Sequence, residues 1–164
     1  MSAIRIIGVL LAATLAAAQG AIVEDLEVRS EKMGRGIPVT VITPDAYSKS
    51  ADARFPVAYA LHGAGGDNVS FAGTDRALRA LADLWQVIVV CPDGGLTGWW
   101  LDSPIDPAYQ YETFVAKELV AFTDQRYRTM AAREKRAIVG GSMGGHGACY
   151  IGIRNKAVFG AVGN

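Results

Sequence analysis

Three short apolar runs, each ending in a cluster of glycines, constrain this chain more than any other feature. Phe55–Leu61 (Phe-Pro-Val-Ala-Tyr-Ala-Leu) leads into Gly63–Gly66, Val87–Cys91 into Pro92-Asp93-Gly94-Gly95, and Arg136–Val139 into Gly140-Gly141. None of the three alternates apolar with polar residues. A strand with one wet face would alternate, so these predict strands buried on both faces, as in a parallel sheet covered by helices. Glycine at the end of each run lets backbone approach backbone or a ligand where a side chain would obstruct it.

The segments between the runs carry helical periodicity. Asp75–Trp85 places Leu78, Leu81, Ala82 and Trp85 on one stripe, and Tyr111–Arg126 does the same for Tyr111, Phe114, Val115, Leu119 and Phe122. Helices alternating with buried strands give βαβ units and an α/β fold with a mainly parallel sheet. Ahead of them, Val23–Arg29 and the β-branched Ile37–Ile42 flank Gly34-Arg35-Gly36 and predict an antiparallel hairpin on the sheet edge. Phe159–Asn164 reads as the opening of one more strand.

The amino-terminal twenty residues have a different character. Arg5 is their only charge, an apolar run follows from Ile6 to Ala16, and Ala16-Ala17-Ala18-Gln19-Gly20 closes it. A basic start, a short apolar stretch and small residues at the cleavage positions describe a secretory signal peptide over residues 1–20. Cleavage after Ala18 and cleavage after Gly20 fit equally well. The run is shorter than the ~20 residues that cross a bilayer, so a membrane anchor is not expected. Residues 21–164 then form the N-terminal part of one domain, secreted or periplasmic.

Sixteen Lys and Arg against sixteen Asp and Glu give no net charge, and no basic run is present, which argues against a nucleic-acid partner. Cys91 and Cys149 lack zinc-ligand spacing and read as small buried hydrophobes. The His62-Gly-Ala-Gly-Gly-Asp67 turn has neither the third glycine of a dinucleotide turn nor the Lys-Ser/Thr of a phosphate loop. No cofactor or metal is indicated.

The chemistry concentrates in Arg136-Ala-Ile-Val-Gly-Gly-Ser-Met-Gly-Gly-His-Gly-Ala148. Its centre is G-x-S-x-G, Gly140-Gly141-Ser142-Met143-Gly144, with a β-branched strand before it and a helix-compatible stretch after it. That context predicts a nucleophile elbow. The sharp turn strains the serine, crowds the positions two before and two after it, and projects the hydroxyl from the sheet's carboxyl edge. The Met143 amide opens the following helix, where unpaired N–H groups favour negative charge. The turn after the Phe55–Leu61 strand can supply the second donor of an oxyanion hole, the amide of Ala64.

These stretches, together with Trp99-Trp100-Leu-Asp102-Ser-Pro104 and Tyr111-Glu-Thr-Phe-Val-Ala-Lys-Glu118-Leu119, resemble an esterase family of α/β-hydrolases. The family contains S-formylglutathione hydrolase (esterase D), tributyrin-type esterases, feruloyl and acetylxylan esterases, and mycolyltransferases. The likeness covers residues 37–164 with the motifs in family order. It implies an α/β-hydrolase fold, Ser142 as nucleophile, the Ala64 and Met143 amides as oxyanion hole, and a Trp99–Trp100 loop lining the active site.

A serine needs a base, and the base an orienting acid. In this fold they follow the serine in the order acid, then histidine. The residues after Ser142 contain no Asp or Glu, and their one histidine, His146, sits one helical turn past the serine with its ring directed along the helix. The chain's other histidine, His62, belongs to the oxyanion turn, and Asp102 precedes the serine and reads as a structural loop residue. The triad is therefore incomplete, which leads us to expect a truncated and by itself inactive hydrolase. Trp99 and Trp100 follow the Val87–Cys91 strand and therefore reach the same edge as Ser142, placed to line an acyl pocket or to stack on a sugar or aromatic ring, unless one of them plugs the loop onto the core. The expected activity is an exported serine esterase acting on a small-molecule or carbohydrate-linked ester. Acyl transfer by the same nucleophile and a non-catalytic carbohydrate-binding relative are the alternatives.

Overall fold

The computed structural model describes residues 21–72 and 76–164. The expected signal peptide lies outside the described residues. Six strands make one sheet: β1 (Ile22–Ser30), β2 (Arg35–Thr43), β3 (Val57–Leu61), β4 (Ile88–Pro92), β5 (Arg136–Gly140) and β6 (Ala161–Gly163). Their order is β1-β2-β4-β3-β5-β6. β1 and β2 are the expected edge hairpin, in register from Ile22 opposite Thr43 to Ser30 opposite Arg35, with Gly34 at φ +67° in the turn. β2 runs antiparallel to β4, whereas β4, β3, β5 and β6 are mutually parallel.

Side chains along β3 show why the apolar runs did not alternate. Val57, Tyr59 and Leu61 enter one core layer and Ala60 the other. The larger layer is closed by two helices. One spans 111–126, and the other, Met143–Arg154, is here called the elbow helix. Phe114, Val115, Leu119, Ala148 and Ile151 supply its buried contacts. The opposite layer is closed by the helix Arg76–Trp85, which buries Ala82 against Ile42, Ala60, Val89 and Cys91.

Two departures from the expected helices have local causes. The 111–126 helix widens to π geometry over Phe114–Leu119, a one-residue register slip that keeps Phe114, Val115, Leu119 and Val120 all inward. In Arg76–Trp85 the stripe ends early. Ala82 is buried but Trp85 is 64% exposed, because it overhangs a shallow apolar depression of about 320 Å³ bordered by Ala58, Leu78, Val87 and Val139.

Both cysteines are free thiols. Cys91 is buried on β4 in the layer beneath Arg76–Trp85, whereas Cys149 belongs to the elbow helix on the opposite face of the sheet. Burial pushes the Cys91 thiol up to about 12.

Candidate active site

The chain passes from β3 to β4 on one side of the sheet and then returns to β5 on the other side of β3. The helix after β3 covers one face and the elbow helix the other, so the turns leaving β3 and β5 diverge. A crevice at the carboxyl ends of strands is where ligands bind in sheets of this kind. The turns after β3, β4 and β5 all reach that edge.

After β5 the backbone makes the expected elbow. Ser142 has φ 57° and ψ −121°, a conformation costly for any residue with a Cβ, and the elbow helix starts at Met143. The flanking glycines are required by space. A Cβ on Gly144 would overlap the main chain of Leu61, and one on Gly140 would stand 2.7 Å from Leu61 O. The elbow is thus pressed directly against the end of β3. The turn after β3 lies beside it: a Cβ on Gly63 would stand 3.4 Å from Gly141 O and 3.5 Å from Ser142 Cβ. Among the described residues, the amides of Ala64 and Met143 donate to no protein acceptor. Ser142 and Ala64 are exposed.

His62 is 1% exposed, and both of its ring nitrogens are engaged. Gly94 N–H donates to Nε2 at 2.8 Å, and Nδ1 lies 2.8 Å from Gly63 O. His146 is exposed instead. Its ring meets Trp99 edge to face at 5.4 Å and stacks on Tyr150 at 5.8 Å, along the elbow helix and away from its start. Among the described residues no histidine or carboxylate is hydrogen-bonded to the Ser142 hydroxyl.

The tryptophan pair divides. Both residues have positive φ, 51° and 62°, yet their exposure differs. Trp99 is 50% exposed beside His146. Trp100, expected with Trp99 to line the site, is instead wholly buried and offers no surface to a ligand. It fills the space between Gly94 and Gly147, where a Cβ on either glycine would stand 2.5 Å from it, and donates its indole N–H to His62 O at 3.2 Å. Loop hydrophobicity alone does not tell an inward from an outward ring.

Asp102 takes the structural role expected of it. Its carboxylate accepts from Thr113 N–H at 2.9 Å and from the Thr113 hydroxyl at 2.5 Å, which caps the first turn of the 111–126 helix. Among the described residues, no cluster of three or more His, Cys, Asp or Glu is arranged to hold a metal.

A mainly parallel sheet with a serine in a strained strand-to-helix turn defines the α/β-hydrolase class. The chain belongs to the esterase family described as "Putative esterase", which matches residues 30–164. Esterase MT1326 and Esterase Rv1288 of Mycobacterium tuberculosis are each 35% identical to it over 113 residues, 67% of this chain and 24% of the relative. The chain therefore spans about a quarter of the length of these curated relatives. Among solved structures, a ferulic acid esterase superposes with TM-score 0.76 at 26% identity, over 87% of this chain and 58% of that one. S-formylglutathione hydrolase from Agrobacterium tumefaciens gives TM-score 0.74 at 27% identity, over 85% and 56%. Mycobacterium tuberculosis MPT51 gives 0.70 at 29%, over 87% and 49%.

Proposed function

We propose that this chain carries the nucleophile and the oxyanion hole of a serine esterase. The Ser142 hydroxyl attacks the ester carbonyl carbon, and its proton passes to a base. The carbonyl oxygen becomes the oxyanion, held by the Ala64 and Met143 amides. The alcohol departs with the proton, and water then releases the acid from the acyl-enzyme. One observation carries the reading: Ser142 is held at φ 57° at the start of a helix, with the Gly63–Ala64 turn packed against it and both candidate amides unengaged among the described residues. Family membership and the likeness to esterase structures support it.

Among the described residues neither histidine is placed to be that base: His62 is bonded at both nitrogens, and His146 faces Trp99 and Tyr150. Trp99 is the aromatic surface available to the acyl or alcohol portion of the substrate. In the full-length protein, Ser142→Ala reduces hydrolysis of a short p-nitrophenyl ester by several orders of magnitude without lowering the melting temperature. Undiminished turnover would place the nucleophile elsewhere.

The lone positive charge, apolar run and small residues of 1–20 support export. Mass spectrometry of the secreted protein should then find an N-terminus at Gln19 or Ala21. Intact Met1 on soluble cytoplasmic protein would refute export.

A further inference from the structure

We infer that His62 is a positioning residue that aims the Ala64 amide at the oxyanion, acting through the neutral tautomer protonated on Nδ1. The inference rests on the esterase reading above and adds to it a residue that makes no contact with substrate. Its starting point is the donor at Nε2. A backbone amide only donates, so the 2.8 Å bond from Gly94 N–H requires a bare lone pair on Nε2. In a neutral ring the proton then sits on Nδ1, which donates to Gly63 O at 2.8 Å.

That carbonyl belongs to the same peptide unit as the Ala64 N–H. The unit is planar and no peptide among the described residues is cis, so its C=O and N–H point in opposite directions. Drawing Gly63 O toward the buried imidazole directs the Ala64 N–H the other way, to the exposed side of the turn, where Gly63 meets the Ser142 elbow. The only other donor to Gly63 O among the described residues is Gly66 N–H, at 3.1 Å, from within the same short turn. His62 is the one that ties the peptide to the rest of the fold. The ring is itself fixed from two sides, by Gly94 at Nε2 and by the Trp100 ring, which meets it edge to face at 5.1 Å. The Trp100 indole also holds His62 O. Trp100 packs against Gly147 of the elbow helix, so one buried pair joins both sides of the oxyanion hole.

The test separates the two ring nitrogens. Asparagine places an amide N–H where Nδ1 stands and keeps the bond to Gly63 O. Glutamine reaches the Nε2 position and loses that bond. In the full-length protein, His62→Gln should lower kcat by roughly tenfold or more, below the cost of deleting an oxyanion donor outright, with KM little changed. It should weaken a trifluoromethyl ketone, which forms a tetrahedral adduct, by a similar factor. His62→Asn should stay within about threefold of wild type in kcat, since it retains the donor. Equal losses in both variants, following their melting temperatures, would reduce His62 to packing, and full activity in both would remove the role altogether. Should neither variant fold, the ring ¹⁵N spectrum of wild-type protein decides: a proton on Nδ1 is expected, and a proton on Nε2 overturns the inference. Ser142→Ala is measured alongside. If it retains hydrolysis, the esterase reading has failed; if it is inactive while the histidine variants lose activity in step with their stability, only the aiming role has.

Discussion

The two turns that meet at the site are built by opposite means. The elbow after β5 is shaped by what is missing. Gly140 and Gly144 lack the side chains that would collide with Leu61, and Ser142 is left in a backbone conformation it would not choose. The turn after β3 is shaped by what is added. A buried histidine and a buried tryptophan hold it through bonds to Gly63, Gly94 and the main chain of His62 itself. The first device is local and steric, the second long-range and polar. Substitutions at the elbow should therefore fail through overlap, and those around the β3 turn through lost contacts.

The largest effect is expected at Gly144. Its Cβ would overlap main chain that has no room to retreat, so Gly144→Ala should cost more than about 4 kcal/mol or abolish cooperative unfolding in a thermal melt. Gly141→Ala, one residue before the serine, meets open space and should stay within about 1 kcal/mol of wild type. Similar melts for the two variants would break the steric account of the elbow. Next comes the support of the β3 turn. Trp100→Ala empties a fully buried site and should cost about 3–5 kcal/mol in denaturant unfolding. Trp99→Ala, at a half-exposed ring, should fall within about 0.5 kcal/mol. The smallest contrast between paired variants has the opposite sign. Ser142→Gly releases the strain at φ 57° and should melt above Ser142→Ala by the equivalent of about 1–2 kcal/mol, although neither has a nucleophile. Equal melting temperatures would mean that the serine's conformation is stored at no cost.

The contrast between the turns also explains how much was legible in the chain. The sheet was, because strands buried on both faces leave continuous apolar runs, and all three runs became β3, β4 and β5. The elbow was legible for the same local reason: its glycines, its serine and the flanking strand and helix all lie within one short stretch. The support of the β3 turn was not. His62 and Gly94 are 32 residues apart, and nothing in either segment states that a ring nitrogen will meet an amide. Nor do two adjacent tryptophans reveal which is inward, since that is decided by the space Gly94 and Gly147 leave for Trp100, far apart in the chain. Trp85 misled for a third reason: a helical stripe predicts the side that faces the sheet, but not whether the space between them is filled.

The buried thiol of Cys91 has a use unrelated to catalysis. Only the thiolate reacts with alkylating reagents, and burial that pushes the group up to about 12 leaves almost none of it near neutral pH. Its side chain lies in the layer beneath Arg76–Trp85, so a reagent reaches the sulfur only when that helix lifts away or the sheet itself comes apart. The rate at which Cys91 is alkylated under native conditions is therefore a clock for the opening of this layer, read from a side chain already in place.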